Sequence, residues 1–160
     1  MRDSEFKSAN HCVGIAVIKT RGSEVFTGYK PDLTVRAESD GKLLFILESE
    51  QKTDRKAFLG SLMKAEMFAE VEDASPELII VMQIMSNTTV QHIANHIEPY
   101  VQWLSKIKGG NLNLSAIHVM SDIDYLESIV SAEELGSAAF KLRGCLIKID
   151  PIYAPEAGIA

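Results

Sequence analysis

Three carboxylates and a lysine stand where they could act together on a metal ion and a phosphate. Glu48, Glu50 and Lys52 follow the apolar run 43–47 at intervals of two residues, which puts their side chains on one face of an extended strand. Asp32 lies upstream, in a second segment with strand character. Carboxylate oxygens suit Mg²⁺, and a bound Mg²⁺ can polarise a phosphate and activate a water molecule. If the fold brings Asp32 to the same face, these side chains could hold a divalent cation.

The segment AESDGK between these two strands predicts how they pair. Ser39-Asp40-Gly41 suits a three-residue hairpin loop with the glycine in the left-handed region, and such a loop pairs Glu38 with Lys42. Continued along the strands, this register places Asp32 opposite Glu48. A two-residue Asp40-Gly41 turn would instead rotate Asp32 to the other face.

We favour the first register because it separates a core face from a polar face. The core face holds Tyr29, Leu33 and Val35, and the polar face holds Lys30, Asp32, Thr34 and Arg36. Two carboxylates opposed across a pair of strands repel each other unless a positive charge compensates them. A divalent cation can do this, and so can a solvated ladder of Lys30, Arg36 and Lys52 without any function. The strand pattern leaves both open.

Apolar periodicity along the chain predicts an α/β fold. It predicts strands at 11–20, 24–37, 42–49, 76–84, 112–122 and, near the end, 141–149. It predicts helices at 53–74, with Thr53 or Asp54 as N-cap, at 87–110 and near 123–135. An antiparallel three-stranded meander followed by helix, strand, helix and strand predicts a mixed sheet, in a single domain over residues 1–160.

The composition of the chain argues against several classes of protein. No apolar run reaches the ~20 residues that cross a bilayer, which argues against a membrane protein. The two cysteines, Cys12 and Cys145, stand far apart and without CxxC spacing, which favours a reducing cytoplasm. The net charge of −6 argues against a protein that simply coats nucleic acid. Residues 1–64, however, hold eleven Lys and Arg against nine Asp and Glu, so an acidic partner is expected to meet this half.

The motifs resemble those of the PD-(D/E)xK nuclease superfamily, which has the restriction-endonuclease-like fold. The resemblance rests on YKPDLTV at 29–35, on LLFILESEQK at 43–52, and on the helix and strand that follow. Pro31-Asp32 is similar to the first motif of the family, and Glu48 is similar to the acid of the second. The resemblance covers about residues 24–84.

Three residues are candidates for the lysine position of the second motif under this resemblance, and two of them are lysines. With Glu48 as the acid, Glu50 stands at the lysine position, as in some restriction enzymes of the superfamily. The alternative register, Glu50-Gln51-Lys52, contains the lysine. Lysine can also come from the following helix in this superfamily, and Lys56 is the candidate there.

The resemblance implies a metal-dependent endonuclease that hydrolyses DNA phosphodiester bonds. It implies Mg²⁺ or Mn²⁺ held by Asp32, Glu48 and Glu50, with Lys52 or Lys56 stabilising the developing charge. DNA is the implied partner, and so small a domain would act as a homodimer or beside a partner subunit. The alternative is a nuclease fold without chemistry that serves as an interaction or regulatory module, which the acidic balance and Glu50 at the lysine position favour.

Other residues carry weaker predictions. His92 and His96 are spaced for zinc, but no third ligand is evident, so solvated helix positions are favoured. His118 is expected in the core. Gly60, inside a predicted helix, is expected to allow close packing on the sheet, with close approach of DNA as the alternative. Glu5 is a further candidate metal ligand.

Overall fold

The computed structural model describes residues 1–51, 54–85 and 87–149, which form a six-stranded sheet and helices on both of its faces. The strands are β1 (Val17–Thr20), β2 (Leu33–Arg36), β3 (Leu43–Glu50), β4 (Glu77–Met82), β5 (Ala116–Ser121) and β6 (Cys145–Lys148). The helices in these residues are α1 (Asp3–Ser8), α2 (Arg55–Val71), α3 (Val90–Ile107), α4 (Asp122–Val130) and α5 (Ala138–Lys141).

The strands lie in the sheet in the order in which they occur along the chain. β1, β2 and β3 form an antiparallel meander, β3, β4 and β5 run parallel, and β6 returns antiparallel to β5. Parallel neighbours need a crossover connection, and α2 and α3 supply it. The predicted mixed α/β sheet, with the meander first, is confirmed.

β4 lies inside the sheet between β3 and β5 and is buried on both faces because helices cover each side of the sheet. Leu78 and Ile80 point towards α2 and α3 and join one apolar cluster with both helices. Ile79 and Val81 point the other way and join a second cluster with side chains of α1, α4 and α5. Burial of each such side chain stabilises the fold by about 1.5–3 kcal/mol. The sheet is therefore the central layer of three.

Side-chain caps define where α2 and α3 begin. The Asp54 carboxylate accepts a hydrogen bond from the Lys56 amide at 3.0 Å, and Thr89 Oγ1 accepts one from the His92 amide at 3.2 Å. These caps satisfy amides that have no partner within the first turn of a helix. Of the two predicted caps for α2, Asp54 is the N-cap. Because α2 follows the carboxyl end of β3, its first turns lie beside Glu50.

β2 and β3 pair in the predicted register. The partners are Leu33 with Leu47, Thr34 with Ile46, and Val35 with Phe45. This register directs Asp32, which immediately precedes β2, towards the end of β3.

The loop of this hairpin differs from the predicted one. The Ala37 amide donates to the Lys42 carbonyl at 2.8 Å, so the predicted pairing of Glu38 with Lys42 is wrong and the loop is one residue longer. A bulge between Val35 and Arg36 then shifts the register back. The longer loop and the bulge offset each other, which is why the register further along the strands agrees with the prediction.

β2 is shorter than predicted because the chain turns before it. Gly28 has a φ of +83°, and Phe26 and Tyr29 form an isolated bridge across this turn. The alternation of faces does not continue through the turn. Tyr29 packs against α2, whereas Leu33 and Val35 belong to the cluster on the opposite face, so placing all three on one core face was wrong. Thr34, predicted on a polar face, is fully buried.

Candidate active site

A cleft of about 630 Å³ opens beside the carboxyl end of β3, between the first turns of α2 and the turn that precedes β2. The residues that line it come from these three segments. They are Glu24, Gly28, Tyr29, Lys30, Glu48, Glu50, Ala57, Gly60, Ser61 and Lys64. Glu48 and Glu50 of the predicted site therefore border one concave surface, as binding sites usually do, whereas Asp32 is not among the residues that line it.

Asp32 is held at the end of β3 by two protein donors. Its Oδ2 accepts a hydrogen bond from the Ser49 amide at 2.6 Å, and its Oδ1 lies 3.3 Å from Lys7 Nζ. The residue is buried, and burial raises the pKa of the Asp32 carboxyl. The Ser49 amide and Lys7 act in the opposite direction, while the negative charge of Asp3 adds to the rise.

Glu48 is a buried carboxyl whose described hydrogen-bond donors are neutral, the Tyr29 hydroxyl and the Asp32 amide. The Tyr29 hydroxyl donates to Glu48 Oε1 at 2.6 Å. Burial is the main reason why the pKa of Glu48 rises to about 8, and the charges of Asp32 and Glu50 raise it as well. The Tyr29 hydrogen bond lowers it only in part. At neutral pH and without a cation, most Glu48 side chains therefore carry a proton.

Glu50 completes the group of acidic side chains. Its Oε1 accepts a hydrogen bond from the Ser61 hydroxyl at 3.0 Å. Burial raises the pKa of Glu50, and the charges of Asp32, Asp3 and Asp54 raise it further. Asp32, Glu48 and Glu50, which we call the carboxylate cluster, thus act on one another through charge that the protein does not fully compensate.

The carboxylate cluster fits Mg²⁺ or Mn²⁺ by the type of its donors, which are hard oxygens. Across residues 1–51, 54–85 and 87–149, no three His, Cys, Asp or Glu side chains converge as they stand on a point where a metal could bind. Both oxygens of Asp32 face protein donors, and Glu48 and Glu50 each turn one oxygen to a hydroxyl group. Within the described residues no side chain donates to their second oxygens, which could serve as ligands.

The candidate lysines lie in different places. Lys52, like Thr53, lies outside the described residues. Lys56 is exposed in the first turn of α2 and is not among the residues that line the cleft. Lys30 and Lys64 are exposed and do line it. Lys7 of α1 reaches Asp32 directly.

Sequence reasoning missed several residues of this site. It overlooked α1, whose six residues are too few to show a helical period, and with it Lys7. Glu5, the candidate ligand from this segment, caps α1 instead, since its carboxylate accepts a hydrogen bond from the Arg2 amide at 2.8 Å. Ser61 had a signal in the sequence, because it is a polar residue on the side of α2 that is otherwise mostly apolar and buried.

Gly60 is not explained by close packing on the sheet, so that expectation was wrong. A Cβ atom built on Gly60 meets no atom within 4 Å, and the residue lines the cleft. A glycine inside a helix costs about 1 kcal/mol relative to alanine. No contact within the described residues explains why a glycine stands here. A ligand in the cleft would explain it, because the ligand could occupy the space that a larger side chain would fill.

The histidines lie away from the cleft. His92 is exposed on α3, and His96 contacts Tyr100 edge-to-face with ring centroids 5.6 Å apart. His118 is buried in β5, as expected, and one of its ring nitrogens hydrogen-bonds the Arg143 carbonyl.

No protein-family model, curated protein or solved structure matches this chain. The resemblance to the PD-(D/E)xK superfamily therefore rests on the motif residues, the register of β2 and β3, and the order of elements. None of the helices in the described part of the chain has the length and apolar character needed to cross a membrane.

Proposed function

We propose that this protein is a metal-dependent endonuclease with a restriction-endonuclease-like fold, which hydrolyses phosphodiester bonds of DNA. The observation that supports this most is the meeting of Asp32, Glu48 and Glu50 at one end of β3, beside a cleft. Buried acidic groups without sufficient compensation cost stability. A divalent cation would remove that cost, so the arrangement makes sense as a metal site.

The chain orients the reacting groups before a ligand arrives. The Ser49 amide positions Asp32, the Tyr29 hydroxyl positions Glu48, and the Ser61 hydroxyl positions Glu50. When bound, Mg²⁺ or Mn²⁺ would polarise the scissile phosphate and make a bound water more acidic. Fixed ligands reduce the entropy that is lost on reaching the reactive geometry.

The cleft also has charges that favour a polyanion. Lys30 and Lys64 line it from opposite segments, the turn before β2 and the helix α2. Both lysines are exposed and can contact phosphate groups. Because the net charge of the whole chain is −6, attraction to DNA is expected to be local to this half of the molecule. We propose that two copies, or one copy and a partner subunit, act on the two strands of a duplex.

Cleavage of supercoiled plasmid DNA tests this function. Asp32→Ala and Glu48→Gln are each expected to reduce the Mg²⁺- or Mn²⁺-dependent rate by at least about 100-fold, because each removes a charged ligand from the site. Glu38→Gln is the matched control, since Glu38 is an exposed carboxylate in the loop between β2 and β3. It should cleave like the wild type, and EDTA should stop all cleavage. Undiminished cleavage by both cluster variants would contradict the proposal.

An interaction module that keeps the fold without the chemistry is the second candidate. It is favoured by the engagement of both Asp32 oxygens with protein donors and by Glu50 at the lysine position of the motif. Thermal melting separates the two functions. A metal site should raise the melting temperature as Mn²⁺ is added, and Asp32→Ala should abolish the rise. A wild-type melting temperature that does not respond to millimolar Mn²⁺ would favour the module.

A further inference from the structure

We propose that Lys7 is a resident cation of the carboxylate cluster, which competes with a divalent metal ion for Asp32 and sets the affinity of the site for that ion. The inference rests on the proposed function, because it takes the carboxylate cluster as the metal site. It extends that function by naming Lys7, which lies outside the motifs shared with the nuclease superfamily, as a residue that regulates metal affinity.

Lys7 lies between two carboxylates. Its Nζ is 2.8 Å from Asp3 Oδ2 and 3.3 Å from Asp32 Oδ1. The Lys7 side chain is 31 % exposed and that of Asp32 is 11 % exposed, so water screens the pair only in part. The ammonium group therefore occupies a position on Asp32 that a metal ion would otherwise approach.

The surroundings of Lys7 hold it in this position. The Arg21 guanidinium donates to the Lys7 carbonyl, and Phe6, the preceding residue, is fully buried. Gly22 lies against the stem of the lysine, since a Cβ atom at position 22 would come within 2.9 Å of Lys7 Cε. At the start of the chain, the Met1 ammonium group pairs with an α4 carboxylate at 2.7 Å. α1 is thus fixed at both ends, and Lys7 is not a freely moving surface side chain.

The competition follows from electrostatics. A divalent cation and an ammonium group at the same carboxylate repel each other. Partial exposure to water weakens this repulsion but does not remove it. Loss of the Lys7 charge should therefore strengthen metal binding. If a substrate phosphate binds a metal ion held by Asp32, the Lys7 ammonium would also stabilise the charge that develops on that phosphate, so loss of Lys7 should slow cleavage.

Titration of Mn²⁺ into protein without DNA, followed by calorimetry, measures metal affinity independently of cleavage. Lys7→Met is expected to bind Mn²⁺ about tenfold more tightly than the wild type, and Lys7→Arg within about threefold of it. Lys19→Met is the matched control, because Lys19 is an exposed lysine of β1 and its loss changes the net charge equally. Its Mn²⁺ affinity should equal that of the wild type.

Plasmid cleavage at saturating Mn²⁺ gives the second measurement. Lys7→Met is expected to cleave at least about tenfold more slowly, whereas Lys7→Arg and Lys19→Met should stay near the wild-type rate. Tighter metal binding together with slower cleavage is not what loss of folding produces, and melting curves of each variant verify folding.

The outcomes separate this inference from the function on which it rests. Equal Mn²⁺ affinity in Lys7→Met and the wild type overturns the role of Lys7, while the nuclease proposal stands if Asp32→Ala still abolishes binding and cleavage. Tighter Mn²⁺ binding by Lys7→Met without DNA cleavage by the wild type supports the competition and overturns the nuclease. If the wild type and Lys7→Met both fail to bind Mn²⁺, the metal site and this inference are both wrong.

Discussion

Glu66 on α2 and Glu48 on β3 are both buried, with 4 % and 8 % of the residue exposed, but their surroundings differ. The Glu66 carboxylate accepts hydrogen bonds from the Lys108 ammonium group at 2.6 Å and from the Asn113 and Leu114 amides at 2.7 and 2.9 Å. Glu48 has only neutral donors among the described residues, the Tyr29 hydroxyl at 2.6 Å and the Asp32 amide, and its charge is opposed by two further carboxyl groups.

This difference separates a structural role from a functional one. A buried charge with a full set of donors joins parts of the fold, and Glu66 connects α2 with the segment before β5. A buried acid without such donors costs stability. Strongly perturbed acids beside a cleft are more frequent at functional sites, which supports our proposal that Glu48 belongs to a metal site.

The largest expected effect that tests this contrast is the pH dependence of stability. The Glu48 carboxyl has a pKa of about 8 in the folded protein and about 4.5 when unperturbed, as in the unfolded chain. Between these values the folded state binds more protons, so the free energy of unfolding should fall as pH rises, by roughly 4 kcal/mol from this group. Urea unfolding in EDTA at pH 5, 6, 7 and 8 measures the fall. In Glu48→Gln most of it should disappear, and an identical pH dependence in both proteins would contradict the assignment.

A somewhat smaller effect is expected from neutralising the other glutamate. Glu66→Gln should lower the free energy of unfolding by about 3 kcal/mol at pH 7, because Lys108 and the two amides lose a charged acceptor. Glu48→Gln should cost less than about 1 kcal/mol at the same pH, since Glu48 is then mostly neutral. Urea unfolding of both variants gives the comparison. If both variants lose the same free energy of unfolding, the different surroundings of Glu66 and Glu48 do not affect stability.

The smallest effect concerns the cleft side of α2, where Gly60 lies. Gly60→Ala should raise the free energy of unfolding by up to about 1 kcal/mol, because the added methyl meets no atom and alanine favours the helix. The same methyl extends towards the cleft, so affinity for a duplex oligonucleotide should fall several-fold. Thermal melting and fluorescence anisotropy measure the two changes. Met67→Leu, on the exposed part of α2 away from the cleft, should alter neither, and unchanged DNA affinity in Gly60→Ala would remove the glycine from the site.

The longer elements could be predicted because their signals are local. β3, β4 and β5 and the helices α2 and α3 all appear where the periodicity places them, with ends moved by a few residues. α1 and α5, with six and four residues, were not predicted, since such short helices contain too few turns to show a period. The prediction for Tyr29 was wrong because the turn at Gly28 interrupts the alternation of inward- and outward-facing side chains along the predicted strand.

The carboxylate cluster could be predicted only in part. The approach of Asp32 to the end of β3 follows from pairing between neighbouring strands, which the pattern of apolar residues determines. The contacts with Lys7, Tyr29 and Ser61 come from segments whose positions depend on how the layers pack. The spacing of residues along the chain does not predict such contacts. The residues that shift the pKa values of the three acids are therefore visible only in the folded structure.

The hydrogen bond between the Ser49 amide and Asp32, 2.6 Å long, has a spectroscopic consequence. An amide proton bonded to a carboxylate resonates further downfield than one bonded to a neutral acid, so the Ser49 signal reports the charge state of Asp32. The amide belongs to β3, which pairs with β4 up to Glu50, and its own motion therefore contributes little to that signal. A single resonance in a heteronuclear correlation spectrum would thus report protonation of Asp32, its pairing with Lys7 and its binding of a metal ion, without an added probe near the site.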